Sequence, residues 1–242
     1  MDHLVVEGTW PDRLRITRGW ARAEARPWND ETPAAQLRLI RGGADFLVEA
    51  TGVVGDRGGE PVYSPALYPT STRVWNRAGY QRIDQLLVLE RPLTLSSPEP
   101  AVAIRTGEPD WDGLVDVDRA AFEGFWRMSR TGLEESAAAT RHSTVLTVGD
   151  TGRVQGYAIV GAQRGVGYLQ RIAVEPESGR RGLGTELVRA GLSWARSHGC
   201  RSMVLNVRAG ALPARGLYEA TGFSDTGTRL EIMGHGVVPK PY

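Results

Sequence analysis

The sequence predicts an α/β (α+β) protein: a mixed, mostly antiparallel sheet flanked by helices, arranged as two tandem domains. Three observations predict it. Two β-rich runs, 144–148 and 154–160, are joined by Gly149-Asp150-Thr151-Gly152, a set of turn formers that folds the chain back into an antiparallel hairpin. Between the strand-like runs 166–174 and 203–207, the residues Leu183, Leu187, Ala190, Gly191, Trp194 and Ala195 recur at helical spacing, as in an amphipathic helix lying on a sheet. Finally, Arg73-Val74-Trp75-Asn76-Arg77-Ala78-Gly79-Tyr80 repeats the shape of Gly216-Leu217-Tyr218-Glu219-Ala220-Thr221-Gly222-Phe223. Each has an aromatic residue, a glycine four positions on and then a second aromatic, and each precedes a strand-like run, 85–90 and 228–233. This points to an internal duplication.

Along the first half, 4–7, 13–17 and 62–64 read as strands, and a helix is expected over 33–54, interrupted by Gly42-Gly43. The stretch Thr94-Leu95-Ser96-Ser97-Pro98-Glu99-Pro100 cannot continue a helix and separates two apolar-patterned regions. It is taken as a linker, giving domains 1–93 and 101–242. In the second half a strand is expected at 101–105, a helix at 111–122 on Leu114, Val115, Val117 and Ala121, and another at 133–140. The hairpin and a third strand follow, then the long helix to His198-Gly199, the strand 203–207, a helix 214–221 stopped by Gly222, and a last strand.

Composition narrows the functional classes. With 41% hydrophobic and 24% charged residues, the 242-residue chain is that of a folded globular protein. A net charge of +1 provides no global field toward nucleic acid or an anionic membrane, so neither partner is expected. The lone cysteine, Cys200, excludes an intrachain disulfide and fits a reducing compartment. No run approaches the roughly 20 apolar residues that span a bilayer, and Met1-Asp2-His3 opens no secretory signal. A cytoplasmic location is expected, and no metal site.

The chemistry concentrates at Leu169-Gln170-Arg171-Ile172-Ala173-Val174-Glu175-Pro176, followed by Glu177-Ser178-Gly179-Arg180-Arg181-Gly182-Leu183-Gly184-Thr185 and the amphipathic helix. A strand running into a glycine-containing loop that opens a helix turns several unpaired amides toward one spot, with the positive end of the helix dipole behind them. Gly182 and Gly184 let an oxygen approach the backbone, and Arg180 and Arg181 can add charge-assisted hydrogen bonds. This is an anion cradle. A Walker loop is excluded because Thr185-Glu186 follows Gly184, and the dinucleotide fingerprint is excluded because Leu187 stands at its third glycine.

Strand, loop, helix, strand and a Leu217-Tyr218-x-x-x-Gly222-Phe223 helix together resemble the GNAT superfamily of acyl-CoA-dependent N-acyltransferases, over about 101–235 and most closely over 169–223. The resemblance implies a GNAT-like fold with acetyl-CoA as donor. It assigns the pyrophosphate to Arg180, Arg181, Gly182, Leu183, Gly184 and Thr185, and the pantetheine arm to the backbone of Ile172, Ala173 and Val174, where the sheet splays to admit the thioester. It assigns Tyr218 the protonation of the departing thiolate, a task suited to a phenol, and an N–H near Ile172 the developing oxyanion. Three departures accompany it. Gly179 stands where the family carries Gln or Arg, Ala211 where it often carries Asn, and Asn206 where ribosomal-protein alanine acetyltransferases, which this region also resembles, carry a glutamate base.

The base is therefore open among Glu123, His142, Glu231 and water relayed by Asn206 or Tyr168. Phe122, Phe125, Trp126 and Met128 are candidates for an acceptor pocket, and the acceptor is an amine of a small molecule or of a protein N-terminus. The first half looks like a shortened, degenerate copy, a tandem arrangement also seen in mycothiol synthase. Trp75 stands at the position of Tyr218, and no Arg-Gly-x-Gly loop precedes it. The alternative function is a non-catalytic acyl-CoA sensor or interaction module. Phosphate-dependent RNA binding through Arg180 and Arg181 is disfavoured, since no aromatic-basic surface accompanies them.

Overall fold

The computed structural model describes residues 3–94, 98–150 and 152–237, with Gly179 and Arg180 described by their backbone. Leu95, Ser96 and Ser97 of the expected linker and Thr151 of the expected turn lie outside the described residues. In chain order the elements are β1 (Leu4–Glu7), β2 (Leu14–Arg18), β3 (Ala21–Pro27), β4 (Ala35–Arg41), α1 (Ala44–Gly55), β5 (Val62–Tyr63), α2 (Thr72–Arg77), β6 (Gln81–Pro92) and β7 (Arg105–Thr106). There follow α3 (Trp111–Ala121), α4 (Arg130–Ala138), β8 (His142–Val148), β9 (Gly156–Gln163), β10 (Val166–Val174), α5 (Leu183–Ser197), β11 (Ser202–Arg208), α6 (Leu212–Ala220) and β12 (Ser224–His235). The chain divides into two compact units, Met1–Leu86 with Arg229–Tyr242, and Leu87–Thr228. Strands β6 and β12 are thus each shared out between the units, whereas the linker reading placed a single cut at 94–100.

In the first unit the strands follow the order β1-β2-β3-β4-β5-β12-β6. Pairing is antiparallel from β1 to β4 and between β5 and β12, while β4 and β5 run parallel at Ala35↔Val62 and Gln36↔Tyr63. Two sequence expectations are corrected here. β3 was not foreseen, and 35–41, read as the start of a helix, is a strand. Both alternate strictly: Ala21, Ala23 and Ala25 are buried between Arg22, Glu24 and Arg26, and Ala35 and Leu37 are buried between Gln36 and Arg38. Alanine has little strand preference of its own, so a period of two was the sole signal. The helix begins only after Gly42-Gly43, and α1 buries Phe46, Leu47, Ala50 and Val54 beside Trp75 and Tyr80.

In the second unit the order is β12-β6-β11-β10-β9-β8-β7, with β10 and β11 parallel and β7 to β10 antiparallel. Helices α5 and α6 pack on one face and α3 and α4 on the other. The expected mixed, mostly antiparallel sheet flanked by helices is therefore present. α5 carries the apolar stripe that the spacing announced, and its Leu187 and Leu192 are fully buried, each contributing about 1.5–3 kcal/mol. The strand expected at 101–105 shrinks to Arg105–Thr106, because the Ala101 N–H donates to the Glu186 carboxylate of α5 rather than to a ladder.

The duplicated motif is a duplicated helix end. The Tyr80 N–H donates to Trp75 O (3.1 Å) and the Gly79 N–H to Asn76 O (3.1 Å), while in α6 the Phe223 N–H donates to Tyr218 O (2.9 Å) and the Gly222 N–H to Glu219 O (3.0 Å). Both glycines take positive φ, +86° and +85°, which this cap demands. In each copy the two aromatic rings meet edge to face, Trp75 with Tyr80 and Tyr218 with Phe223.

Candidate functional site

Strand β10 carries the site because of how its pairing ends. It runs parallel to β11 from Val166↔Ser202 to Leu169↔Leu205 and no further. On its other side it stays paired with β9 through Ile172↔Ala158, Ala173↔Tyr157 and Val174↔Gly156, with a register shift between Leu169 and Arg171. Past Leu169, then, one edge of β10 keeps its partner and the other faces a gap. Backbone groups alternate in direction along a strand, so part of the N–H and C=O set of 170–174 is turned into that gap. Ile172 and Val174 pack into the α5–α6 core, whereas Ala173 lies in the core on the α3–α4 face.

From Val174 the chain makes a 3-10 turn, Pro176–Arg181, and reaches Gly182 at φ +76°, the residue that precedes α5. The first intrahelical bond of α5 runs from the Glu186 N–H to Gly182 O at 3.2 Å, so the amides of Leu183, Gly184 and Thr185 come before any i−4 partner. Gly182, the N-cap residue, has no side chain with which to cap this end. By contrast, the Gly113 N–H donates to Asp110 ahead of α3 and the Gly132 N–H to Ser129 ahead of α4, both at 3.1 Å. The one carboxylate in the first turn, Glu186, is engaged by the Ala101 N–H and by Arg189 (2.6 Å). A Cβ on Gly182 would meet nothing within 4 Å, whereas one on Gly184 would meet Leu217 Cδ2 at 3.3 Å. The space at the first glycine is open, and that at the second is taken by α6. Leu183 is a buried core residue, Thr185 is half-buried, and Arg181 Nη1 lies 3.5 Å from Gln155 Oε1.

Tyr218 is 6% exposed and shares the core that holds Ile172, Val174 and Leu187. Burial pushes its phenol up to about 12, while the charge of Arg171 pulls the other way. The candidate bases scatter. Glu123 is exposed and its carbonyl accepts the Trp126 N–H at 2.8 Å. His142, at the start of β8, has its ring 6.1 Å from that of His198 and pairs with Ala162, level with Gly167 rather than with Ile172. Glu231 belongs to the first unit, where Arg82 reaches it at 3.4 Å. Tyr168 pairs with Val204 just before the strands part, and Asn206 is exposed just after.

A buried ionic cluster went unnoticed in the sequence. Asp118 of α3, 0% exposed, receives Arg171 Nε and Nη2 at 2.7 and 2.8 Å, the Tyr157 hydroxyl at 2.5 Å and the Met128 N–H at 2.8 Å. Four donors saturate the carboxylate. Arg171 also donates to Trp126 O at 2.7 Å and lies 3.6 Å from the centroid of the Phe122 ring. Burial opposes the charge on Arg171, but its bonds with Asp118 and the negative charge there outweigh that and raise its pKa. Burial, reinforced by Asp118, drives the Tyr157 phenol well above its ordinary range. The aromatic candidates gather here too: Phe125 meets Trp126 edge-on at 5.0 Å, and Arg208 of β11 lies 5.0 Å from the Trp126 ring. Two opposite charges inside apolar segments, Asp118 beside Leu114 and Val117 and Arg171 beside Leu169 and Ile172, were the available signal.

Residues 111–223 match the Acetyltransferase (GNAT) family. Mycothiol acetyltransferase of Saccharomonospora viridis is 26% identical over 192 residues, 70% of this chain and 63% of that protein, so the chain spans a little under two thirds of that relative's length. Among solved structures, a tandem GNAT protein from the clavulanic acid biosynthesis pathway superposes with a TM-score of 0.65 at 17% identity, over 97% of this chain and 86% of that one. A GCN5-related N-acetyltransferase from Sphaerobacter thermophilus gives 0.60 at 18% identity, over 93% and 80%. At these identities the structures establish a shared fold.

Proposed function

We propose that this chain, whose residues 111–223 match the GNAT acetyltransferase family, binds acetyl-CoA in its second unit and transfers the acetyl group to an amine by direct attack. One observation carries the reading: β10 keeps an open edge beyond Leu169 and leads through one turn to the uncapped first turn of α5. The two features suit the two halves of the donor. The amides of Leu183, Gly184 and Thr185, the open space over Gly182 and the positive end of the helix fit a pyrophosphate, with Arg181 beside them. The free edge of Ile172, Ala173 and Val174 fits the amide groups of pantetheine, which add to a strand as a peptide does.

When bound, the thioester supplies an activated acetyl carbon, and the protein's own groups do the rest. An amide on the open edge near Ile172 holds negative charge as it develops on the carbonyl oxygen. Tyr218 keeps its proton at any physiological pH and is the group on α6 able to give one to a leaving thiolate. No carboxylate follows Leu205 on β11, where Asn206, Val207 and Arg208 stand, so the ammonium proton of the acceptor leaves to solvent past the exposed Asn206. The reaction is assigned to the cytoplasm, where the buried Cys200 thiol stays reduced.

The acceptor is a small molecule bearing a primary amine or a protein N-terminus, and the kinship with mycothiol acetyltransferases makes amines of their kind the first to try. The test has two parts. Acetyl-CoA at about 100 times its dissociation constant is expected to raise the folding free energy by roughly 2.7 kcal/mol, read as a rise in melting temperature. Glucosamine, cysteinyl and alanyl amides, kanamycin and a short peptide with a free N-terminus are then screened for acetylation by mass spectrometry. No thermal response to millimolar acetyl-CoA would end the reading. A response with no acetylated amine would instead favour an acyl-CoA sensor, the alternative that Asn206 at the base position supports.

A further inference from the structure

The strands β10 and β11 part beyond Leu169 and Leu205, and Trp126 touches both of them past that point. Its carbonyl accepts from Arg171 Nη2 at 2.7 Å, on β10, and its ring lies 5.0 Å from the Arg208 guanidinium, on β11. The segment 122–128 therefore spans the open end of the gap. An ion pair ties it there. Arg171 takes the Trp126 carbonyl and the face of Phe122, while Asp118 takes the Met128 N–H, and the two side chains lock each other through parallel hydrogen bonds. Within the segment, Gly124–Trp126 form a short 3-10 turn and Arg127 Nε donates to Phe122 O.

The register shift in β10 explains why an arginine can do this. Gln170 and Arg171 both turn to the α3–α4 face, since Gln170 Nε2 lies over Gly161 beside Thr140 and Arg171 reaches Asp118, while Leu169 and Ile172 both turn to the α5–α6 core. Two consecutive residues on one face mark a bulge. The bulge delivers the guanidinium to the α3–α4 side at the residue before Ile172, where the open edge begins.

We propose that Arg171, fixed by Asp118, is a positioning residue for the acceptor: it sets segment 122–128 across the gap, so that the pair governs capture of the amine and leaves acetyl-CoA binding alone. The proposal rests on the acetyl-transfer reading above. It commits the acceptor to approach along Phe122 and Trp126, on the α3–α4 side of β10. Asp118 has all its acceptor positions filled, so it takes no proton from the amine.

The test uses Arg171→Lys, which keeps the positive charge near Tyr218 but cannot present a planar fork to Asp118, the Trp126 carbonyl and the Phe122 ring together. Two acceptors are compared: the most rapidly acetylated amine of the screen, and hydroxylamine, which is too small to need a shaped pocket. The expected result is a fall of at least about twentyfold in kcat/KM for the larger amine, mainly through KM. KM for acetyl-CoA and the rate with hydroxylamine should stay within about threefold of the parent. Asp118→Asn, which keeps the shape of the side chain, should show the same split to a smaller degree and serves if the lysine variant does not fold. An equal loss with both acceptors, or a raised KM for acetyl-CoA, overturns the proposal and leaves the pair a structural element. A parent protein that neither binds acetyl-CoA nor acetylates hydroxylamine defeats the acetyl-transfer reading itself, and this inference with it.

Discussion

Arg171 and Asp118, fifty-three residues apart in sequence, meet through two hydrogen bonds of 2.7 and 2.8 Å in a site where the carboxylate has no exposure at all. A pair so placed contributes little when intact, because both charges had to leave water, but it is costly to break from one side. Asp118→Ala is expected to destabilise the protein by about 3–5 kcal/mol, since it strands a buried guanidinium together with the Tyr157 hydroxyl. Urea denaturation followed by circular dichroism measures this. A loss below about 1 kcal/mol would mean that water reaches Arg171 readily.

Tyr218→Phe removes the proposed proton donor and little else, because the ring stays in the core. Turnover is expected to fall at least about tenfold, about 1.4 kcal/mol in the barrier, with acetyl-CoA affinity unchanged by calorimetry. With the phenol held up to about 12 by burial, the rate of the parent protein should rise with pH as the acceptor amine loses its proton and show no descending limb below about pH 10. A decline nearer pH 8 would point to another acid.

Gly182 combines positive φ with open space where a side chain would stand. Gly182→Val is expected to cost roughly 1–2 kcal/mol of stability, for the strained backbone. It should also lower acetyl-CoA affinity at least about tenfold, since the new methyls would occupy the proposed pyrophosphate site. Calorimetric titration with acetyl-CoA and with free coenzyme A should show the same loss for both, because both carry the pyrophosphate. Unchanged affinity would move the phosphate site elsewhere.

Alkaline pH gives a separate check on burial. Folded Tyr218 holds its proton to about 12, whereas the unfolded chain releases it near 10. The stability from this group is thus fully present below about pH 10 and is lost as pH rises toward 12, on the order of 3 kcal/mol in all. Tyr80 and Tyr157, both raised chiefly by burial, act in the same direction. Urea midpoints should hold steady from about pH 8 to 9.5 and drop beyond 10. A midpoint still level at about pH 11 would mean that these hydroxyls are solvated.

What could be read from the sequence follows a physical division. The stripe on α5 was legible because one helix face must be apolar wherever it lies on a sheet, and the repeat at Trp75-Gly79-Tyr80 and Tyr218-Gly222-Phe223 because the helix cap itself demands a glycine there. β3 was not, since its buried residues are alanines, which favour helix over strand. The parting of β10 from β11 was expected only through resemblance, because local pattern carries no information on where two distant strands stop pairing. Asp118 and Arg171 each stood as a charge within an apolar segment, and their meaning came from finding them in the same place. Arg181, one of the two arginines weighted in the sequence, is exposed beside Gln155.

The division of β12 has a consequence for synthesis. Everything the second unit needs, Leu87 to Thr228, leaves the ribosome as one uninterrupted stretch, but the first unit waits for Arg229 and the residues after it to supply a strand between β5 and β6. The half translated first is therefore the half completed last, and a nascent chain halted after Thr228 should hold its second unit folded while its leading portion still gapes along an unfilled seam.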